Sequence, residues 1–187
     1  MRKRSAAALA ALGVGVVAAV AACLALTASA PVTAELHPVW TEVKWGFPID
    51  QWGTGKAFRC EASACGTEVE VLLRAKLGFC NCTTGVADDP ELERVADLDL
   101  FGEERAALAP GHPIAVRWMK GRSRAYSFSS ARRQGPSTLT IAFNDHCDAL
   151  VATVVAGHHR PAELEPVVLE FLNGDTVIHW AEVALGL

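Results

Sequence analysis

The sequence predicts an α+β fold: a mainly antiparallel β-sheet with one mid-chain helix and two C-terminal helices, preceded by an N-terminal hydrophobic export segment. Three observations carry this. Residues Thr67 to Lys76 alternate, with Val69, Val71 and Leu73 on one side and Glu68, Glu70 and Arg74 near the other, the period-of-two pattern of a half-buried strand. Two more pairs of strand-like runs flank turn residues between Pro113 and Ala156. Helical spacing is confined to the stretch after Asp89 and to the end of the chain. That grouping favours antiparallel pairing over repeated βαβ units.

At 187 residues, 51% hydrophobic and 20% charged, the chain fits one domain with an appendage. Its charged fraction excludes wholesale disorder. The appendage is the N-terminus. Arg2, Lys3 and Arg4 precede Ser5 to Ala30, 26 residues without a charge, twelve of them Ala. As a helix this run reaches about 39 Å at roughly 1.5 Å per residue, enough to cross a bilayer core of about 30 Å. The basic flank stays cytoplasmic and sends the remainder outward.

Three fates compete for the leader. Val32-Thr33-Ala34 has the small-residue character of a signal-peptidase site. Ala28-Ser29-Ala30 shares that character, but Pro31 obstructs cleavage there. The segment can instead stay uncleaved and contact the membrane through residues 5–30. Val20-Ala21-Ala22-Cys23 resembles a lipobox, which makes Cys23 a lipidation candidate, although Leu24-Ala25-Leu26 prolongs the apolar run. Each fate delivers residues 35–187 as a single exported domain, periplasmic or secreted, or tethered to the inner membrane by residues 1–34. Without residues 1–34 the balance is 14 basic against 21 acidic residues, a net charge of −7. An acidic chain is poorly suited to nucleic acid.

Along the exported part, residues 35–57 carry Trp40, Trp45 and Trp52 within thirteen residues, punctuated by Pro and Gly. This reads as an irregular segment pinned to the domain by aromatics, with an exposed aromatic binding site as the alternative. After the Thr67–Lys76 strand, Asp89 caps a helix with Pro90 in its first turn. Leu92, Val95, Ala96 and Leu100 form its stripe, and Gly102 ends it. Pro113–Lys120 and Arg124–Ser130 form two strands around Gly121-Arg122-Ser123. Thr138–Phe143 and Asp148–Ala156 form a hairpin around Asn144-Asp145-His146. Pro166–Leu172 is a helix stopped by Asn173-Gly174, and Asp175 caps a last helix through Val177, Ile178, Trp180, Val183 and Leu185.

The exported part holds Cys60, Cys65, Cys80, Cys82 and Cys147. In an oxidising compartment this is most simply a disulfide framework. Cys80 and Cys82 are too close in sequence for good bridge geometry. At least one bridge is therefore expected between the Cys60/Cys65 side and the Cys80/Cys82 side, stapling the Val69–Leu73 strand. The rivals are a four-thiolate zinc site, although zinc ribbons prefer C-x2-C spacing, and redox-active thiols, although C-x-x-C beside βαβ is missing. Cys147 lies in Asn144-Asp145-His146-Cys147-Asp148, yet an adjacent His is badly placed to activate a thiol. His158-His159 reads as a solvated loop rather than a metal pair. No metal is expected.

Phosphate-binding Gly loops, dinucleotide fingerprints, G-x-S-x-G and H-E-x-x-H are absent from the sequence, so neither a cofactor nor a catalytic residue is assigned. Asp88 to Glu104 holds eight acids against Arg94, which reads as a solvated acidic face. Arg105 to Asn144 then holds seven basic residues and no acid. Among them Lys120, Arg122 and Arg124 share a parity, so an extended strand projects them from one face. With Arg117, Arg132 and Arg133 they form a candidate stripe for anionic lipid, an acidic surface polymer or an envelope protein. The alternative is that the stripe pairs internally with the acidic helix or simply solubilises the sheet.

The eleven residues Arg59-Cys60-x4-Cys65-x2-Glu68-Val69 resemble a segment of the invasion-associated locus B family, exported bacterial proteins with small β-rich periplasmic domains. The resemblance implies a disulfide role for Cys60 and Cys65 and no activity. The Cys80-x-Cys82 pair and the two C-terminal helices fall outside that pattern. The expected function is a disulfide-stabilised binding or interaction module at the bacterial envelope, with the basic stripe as its contact surface. The alternatives are a thiol-dependent enzyme using Cys147 or Cys82, a metal-binding protein using the Cys60/Cys65/Cys80/Cys82 cluster, and a purely structural role.

Overall fold

The computed structural model describes residues 37–130, 133–157 and 161–187. Among them eight strands form one antiparallel sheet. They are β1 (Trp40–Val43), β2 (Lys56–Cys60), β3 (Val69–Lys76), β4 (Glu104–Ala107), β5 (His112–Val116), β6 (Met119–Ser130), β7 (Arg133–Asp145) and β8 (Asp148–Ala156). The spatial order is β1-β2-β3-β8-β7-β6-β4, and β5 pairs with the opposite end of the β6 edge that β4 occupies. The helices are α1 (Ala62–Cys65), α2 (Asp89–Val95), α3 (Glu165–Leu172) and α4 (Asp175–Leu185), with 3-10 turns at Leu98–Leu100 and Pro161–Leu164. The leader residues 5–30, Cys23, Arg132 and His158-His159 lie outside the described residues.

Both faces of the sheet are covered, and β3 shows why. Val69, Val71 and Leu73 join Leu139, Ile141, Leu150 and Val154 beneath Val168, Leu172, Val177 and Ile178 of α3 and α4. The opposite face takes α2, whose Leu92 and Val95 pack on Ala142, Ala149 and Val151. Farther along it, Leu98 packs on Tyr126 and Phe128. The expected half-buried strand is thus buried on both sides, with Arg74 and Lys76 only 1% and 3% exposed. Only the Arg74–Lys76 end of its charged alternation faces a second layer; Glu70 is part-exposed and Glu68, just before the strand, is exposed.

Several local expectations are corrected. Residues 40–43 and 56–60 are strands, paired from Trp40↔Cys60 to Val43↔Ala57, so the Pro and Gly signals mark only the connection between them. Asp88 rather than Asp89 caps α2, accepting from the Glu91 N–H at 2.8 Å. The helix ends at Val95, and Leu98–Leu100 is a separate 3-10 turn. The β5–β6 turn falls at Arg117-Trp118, where Arg117 has φ 52° and donates its N–H to Asn173 Oδ1 at 2.8 Å. Gly121 sits inside β6 because a Cβ there would meet Ala142 O of β7 at 2.1 Å; close strand approach, not a turn, requires the glycine. Gly174 takes the N-cap position of α4, and Asp175 occupies its first turn.

Candidate functional site

The sheet topology decides the cysteine pairing. Cys60 ends β2 opposite Val69, at the start of β3, whereas Cys80 and Cys82 follow the strand's far end. Eight residues of strand hold the two ends roughly 23 Å apart, beyond any bridge. The expected bridge between the Cys60/Cys65 and Cys80/Cys82 sides is therefore wrong. Instead Cys60 bonds Cys65, the disulfide role that the family resemblance implied, and α1 closes that loop. Antiparallel pairing of β3 with β8, Lys76↔Ala149, brings Cys147 beside Cys82, and those two form the second disulfide.

Cys80 is left as a buried free thiol. Its N–H donates to Cys147 O at 3.0 Å and its Sγ to His146 O at 3.3 Å. Burial pushes this thiol above its ordinary pKa; the Glu91 and Asp148 carboxylates add to the shift, and Arg94 opposes it. Cys82 and Cys147, the expected nucleophiles of a thiol enzyme, carry no free thiol. The four cysteines proposed for zinc are split between opposite ends of β3. Among the described residues no group of three or more His, Cys, Asp or Glu side chains is placed to hold a metal ion.

The basic stripe has the expected common face, but α2 lies on it. Arg122 pairs with Asp89 and donates to Gly111 O at 2.8 Å. Arg124 reaches Glu93 at 2.7 Å and Ala109 O at 2.9 Å. Arg117 pairs with Asp175 at 2.9 Å. Burial works against the Asp89 charge, but Arg122, the Gly111 N–H and Arg124 outweigh it and hold the carboxyl below its ordinary range. Lys120 is exposed and has no carboxylate partner among the described residues. It lies beside Trp118 and His146 at the rim of the Cys82–Cys147 disulfide. Arg133 opens β7.

The strongest cluster of buried polar groups lies on the same sheet face, toward β3. Arg74 Nη1 donates to Asp50 Oδ2 at 2.6 Å and lies 3.5 Å from Asp97 Oδ1. Lys76 Nζ is 2.8 Å from the same Asp97 oxygen. The ring of Trp45 covers the guanidinium at 4.8 Å, and Trp52 and Phe79 lie 5.4 and 5.7 Å from the Lys76 ammonium. Arg94 stacks on the Phe79 ring at 4.7 Å and is held by Glu91 at 2.7 Å. Burial opposes the Asp50 charge, yet the Trp52 N–H and Arg74 keep its carboxyl low. A polar pocket of about 220 Å3 opens over this network between Asp50, Trp52, Lys76, Phe79, Arg94 and Asp97.

The polar character continues across the sheet. Register places Thr153 of β8 opposite Leu72, Thr140 of β7 opposite Thr153, and Thr138 opposite Tyr126 of β6. All three threonines and Tyr126 are buried. Their hydroxyls, together with Arg74 Nε, Arg74 Nη2 and Trp45 Nε1, have no hydrogen-bond partner among the described residues. Burial, with the Glu93 carboxylate adding, pushes Tyr126 up to about 12, against the pull of Arg124.

Trp45 and Trp52 stood out in sequence as members of an aromatic cluster, and Arg74 as a strand residue, but nothing there brought them together with Asp50, Lys76, Asp97 and the threonines. Charged residues at alternate strand positions normally face water, and β3 departs from that rule at Arg74 and Lys76. A usable signal was Thr153 inside the apolar run Ala149–Ala156 and Thr138-x-Thr140 inside another, since polar residues inside buried strands need a reason. Comparison with known proteins finds no match to a family model, to a curated protein or to a solved structure.

Proposed function

We propose that this chain is an exported binding module of the bacterial envelope, stapled by its two disulfides and taking a small ligand at the aromatic-walled pocket above Arg74 and Lys76. The observation that carries the reading is a pocket of about 220 Å3 lined by Asp50, Trp52, Lys76, Phe79, Arg94 and Asp97, with the buried Lys76–Asp97 pair in its wall and Arg74 behind it. Burying charge is unfavourable unless the groups are paired, and such clusters concentrate where ligands are recognised. Export is supported by the disulfides, which persist in oxidising compartments, by the uncharged run behind a basic start, and by the likeness of residues 59–69 to an exported family. Anionic lipid, surface polymer or an envelope protein would meet the molecule at Lys120, because Arg117, Arg122 and Arg124 are engaged within the fold.

Melting temperature and tryptophan fluorescence of wild type, Trp52→Ala and Lys120→Glu, titrated with monosaccharides, amino acids and small carboxylates, test the reading. Wild type and Lys120→Glu should respond to at least one compound, and Trp52→Ala should not. A wild type indifferent to every compound, yet bound to anionic vesicles through Lys120 in a salt-sensitive way, would move the function to the stripe. A reporter fused after Leu187 that works only in the cytosol would remove export.

A further inference from the structure

We infer that the cleft beside the Cys82–Cys147 disulfide is a second binding site, which takes a carboxylated sugar unit of an acidic polysaccharide. The inference rests on the reading that Lys120 is the free part of the basic stripe, and not on the pocket above Arg74 and Lys76, with which the cleft shares no lining residue. The cleft holds about 260 Å3 between Thr83, Thr84, Trp118, Lys120, Asn144 and His146. Among the described residues no carboxylate lines it, in a chain with 21 acidic against 14 basic residues beyond position 34. Arg117, Arg122 and Arg124 are each answered by a carboxylate, whereas Lys120 is exposed and unanswered among the described residues. An anion entering here meets a cation with no competing carboxylate beside it.

The walls of the cleft are fixed by the fold. Register sets Lys120 directly opposite Asn144, so both side chains leave one face of the sheet about 5 Å apart. Both ends of the Asn144 amide are engaged: Oδ1 accepts from the Val86 N–H and Nδ2 donates to His146 O, each at 2.9 Å. Gly85, at φ 61°, has no room for a side chain against that amide. The loop is held further by the disulfide and by Asn81 Oδ1, which accepts from the N–H groups of Thr83 and Thr84 at 2.9 and 3.2 Å. Those bonds use backbone donors, so the hydroxyls of both exposed threonines stay free to donate and accept. Across the cleft, the Arg117 N–H bond to Asn173 Oδ1 pins the turn that carries Trp118. Trp118 is 52% exposed; a bare anion leaves that apolar face wet, whereas the C–H face of a sugar ring covers it. A uronate unit matches the set, with its carboxylate on Lys120, its hydroxyls on the threonines and its ring on Trp118. Walls already in place keep the ordering cost of binding low.

The test is a calorimetric titration of full-length, disulfide-intact protein with polygalacturonate. Dextran serves as a neutral sugar polymer, polyglutamate as an acidic polymer without sugar, and vesicles of phosphatidylglycerol and phosphatidylcholine as a lipid surface. Because Trp118 and Lys120 lie outside the pocket above Arg74 and Lys76, the result is separate from the small-ligand reading there. Polygalacturonate should bind in a salt-sensitive way, and the other three more weakly by about tenfold or more. Lys120→Gln and Trp118→Ala, both changes at exposed positions, should each weaken polygalacturonate binding about tenfold. Lys44→Gln, which removes the same charge from an exposed lysine outside the cleft, should leave it unchanged. Full affinity retained in Lys120→Gln or in Trp118→Ala overturns the site, as does an equal loss in Lys44→Gln. Polyglutamate binding as tightly as polygalacturonate overturns the sugar. Vesicles that bind through Trp118 and Lys120 more tightly than polygalacturonate overturn the ligand class in favour of lipid. A wild type indifferent to polygalacturonate overturns the inference altogether.

Discussion

Cys80 and Tyr126 are two single groups whose chemistry the fold has altered. Cys80 is buried against the Cys82–Cys147 disulfide, and its raised pKa keeps it protonated at neutral pH, so it is a poor nucleophile. Alkylation of native protein without reduction should leave Cys80 unmodified. The same treatment in denaturant should label Cys80 and none of Cys60, Cys65, Cys82 or Cys147, as read by peptide mass mapping. A fast-reacting cysteine in the native protein would restore the thiol-enzyme reading. Tyr126, the chain's one tyrosine, titrates in the fold at about 12, above the unfolded value of about 10. The stability tied to its neutral form is complete below pH about 10 and is lost as pH climbs through the folded value. Phenolate absorbance should rise together with loss of tertiary structure in that window, and Tyr126→Phe should flatten the alkaline decline.

Helix α2 shows how much of an element is visible in sequence. Asp88-Asp89-Pro90 announces a helix start, and one exists there, but which Asp caps and which binds the sheet depends on β6. Asp88→Ala removes the side chain that accepts from Glu91 N–H and should lower stability by about 1 kcal/mol in denaturant titration. Asp89 and Glu91 are held below the ordinary carboxylate range, Asp89 through Arg122 against its burial and Glu91 chiefly through Arg94. With folded values below unfolded ones, their contribution is present above pH about 4 and fades as pH falls through the folded values. Asp89→Asn should therefore be less stable than wild type at neutral pH and converge with it in acid, in a pH series of urea melts. The β5–β6 hairpin makes the complementary point. Its hairpin character was readable, but the turn lies at Arg117-Trp118 and not at Gly121, whose missing side chain serves the close approach of β7.

At the scale of the whole molecule, β3 acts as a spacer and β8 as a return. Together they set two closures of very different length, with sequence separations of 5 for Cys60–Cys65 and 65 for Cys82–Cys147. In the chain-entropy model the longer closure contributes about 4 kcal/mol and the shorter about 2. Non-reducing guanidinium melts should rank the Cys82→Ala/Cys147→Ala pair below the Cys60→Ala/Cys65→Ala pair in midpoint. The reverse order would mean that strain or residual structure dominates loop entropy in this chain.

The amino-acid order by itself determined the α+β class, the second hairpin, the regions in which three of the helices form and the common face of Lys120, Arg122 and Arg124, because those follow from periodicity and turn signals within a few residues. Tertiary structure alone decided which cysteines meet, that α2 neutralises two arginines of that face, and that Arg74, Lys76 and the threonines lie under a second layer. Each of those outcomes depends on which strand lies beside which. Side-chain alternation fixes the two sides of a strand but carries no information about what will cover each side.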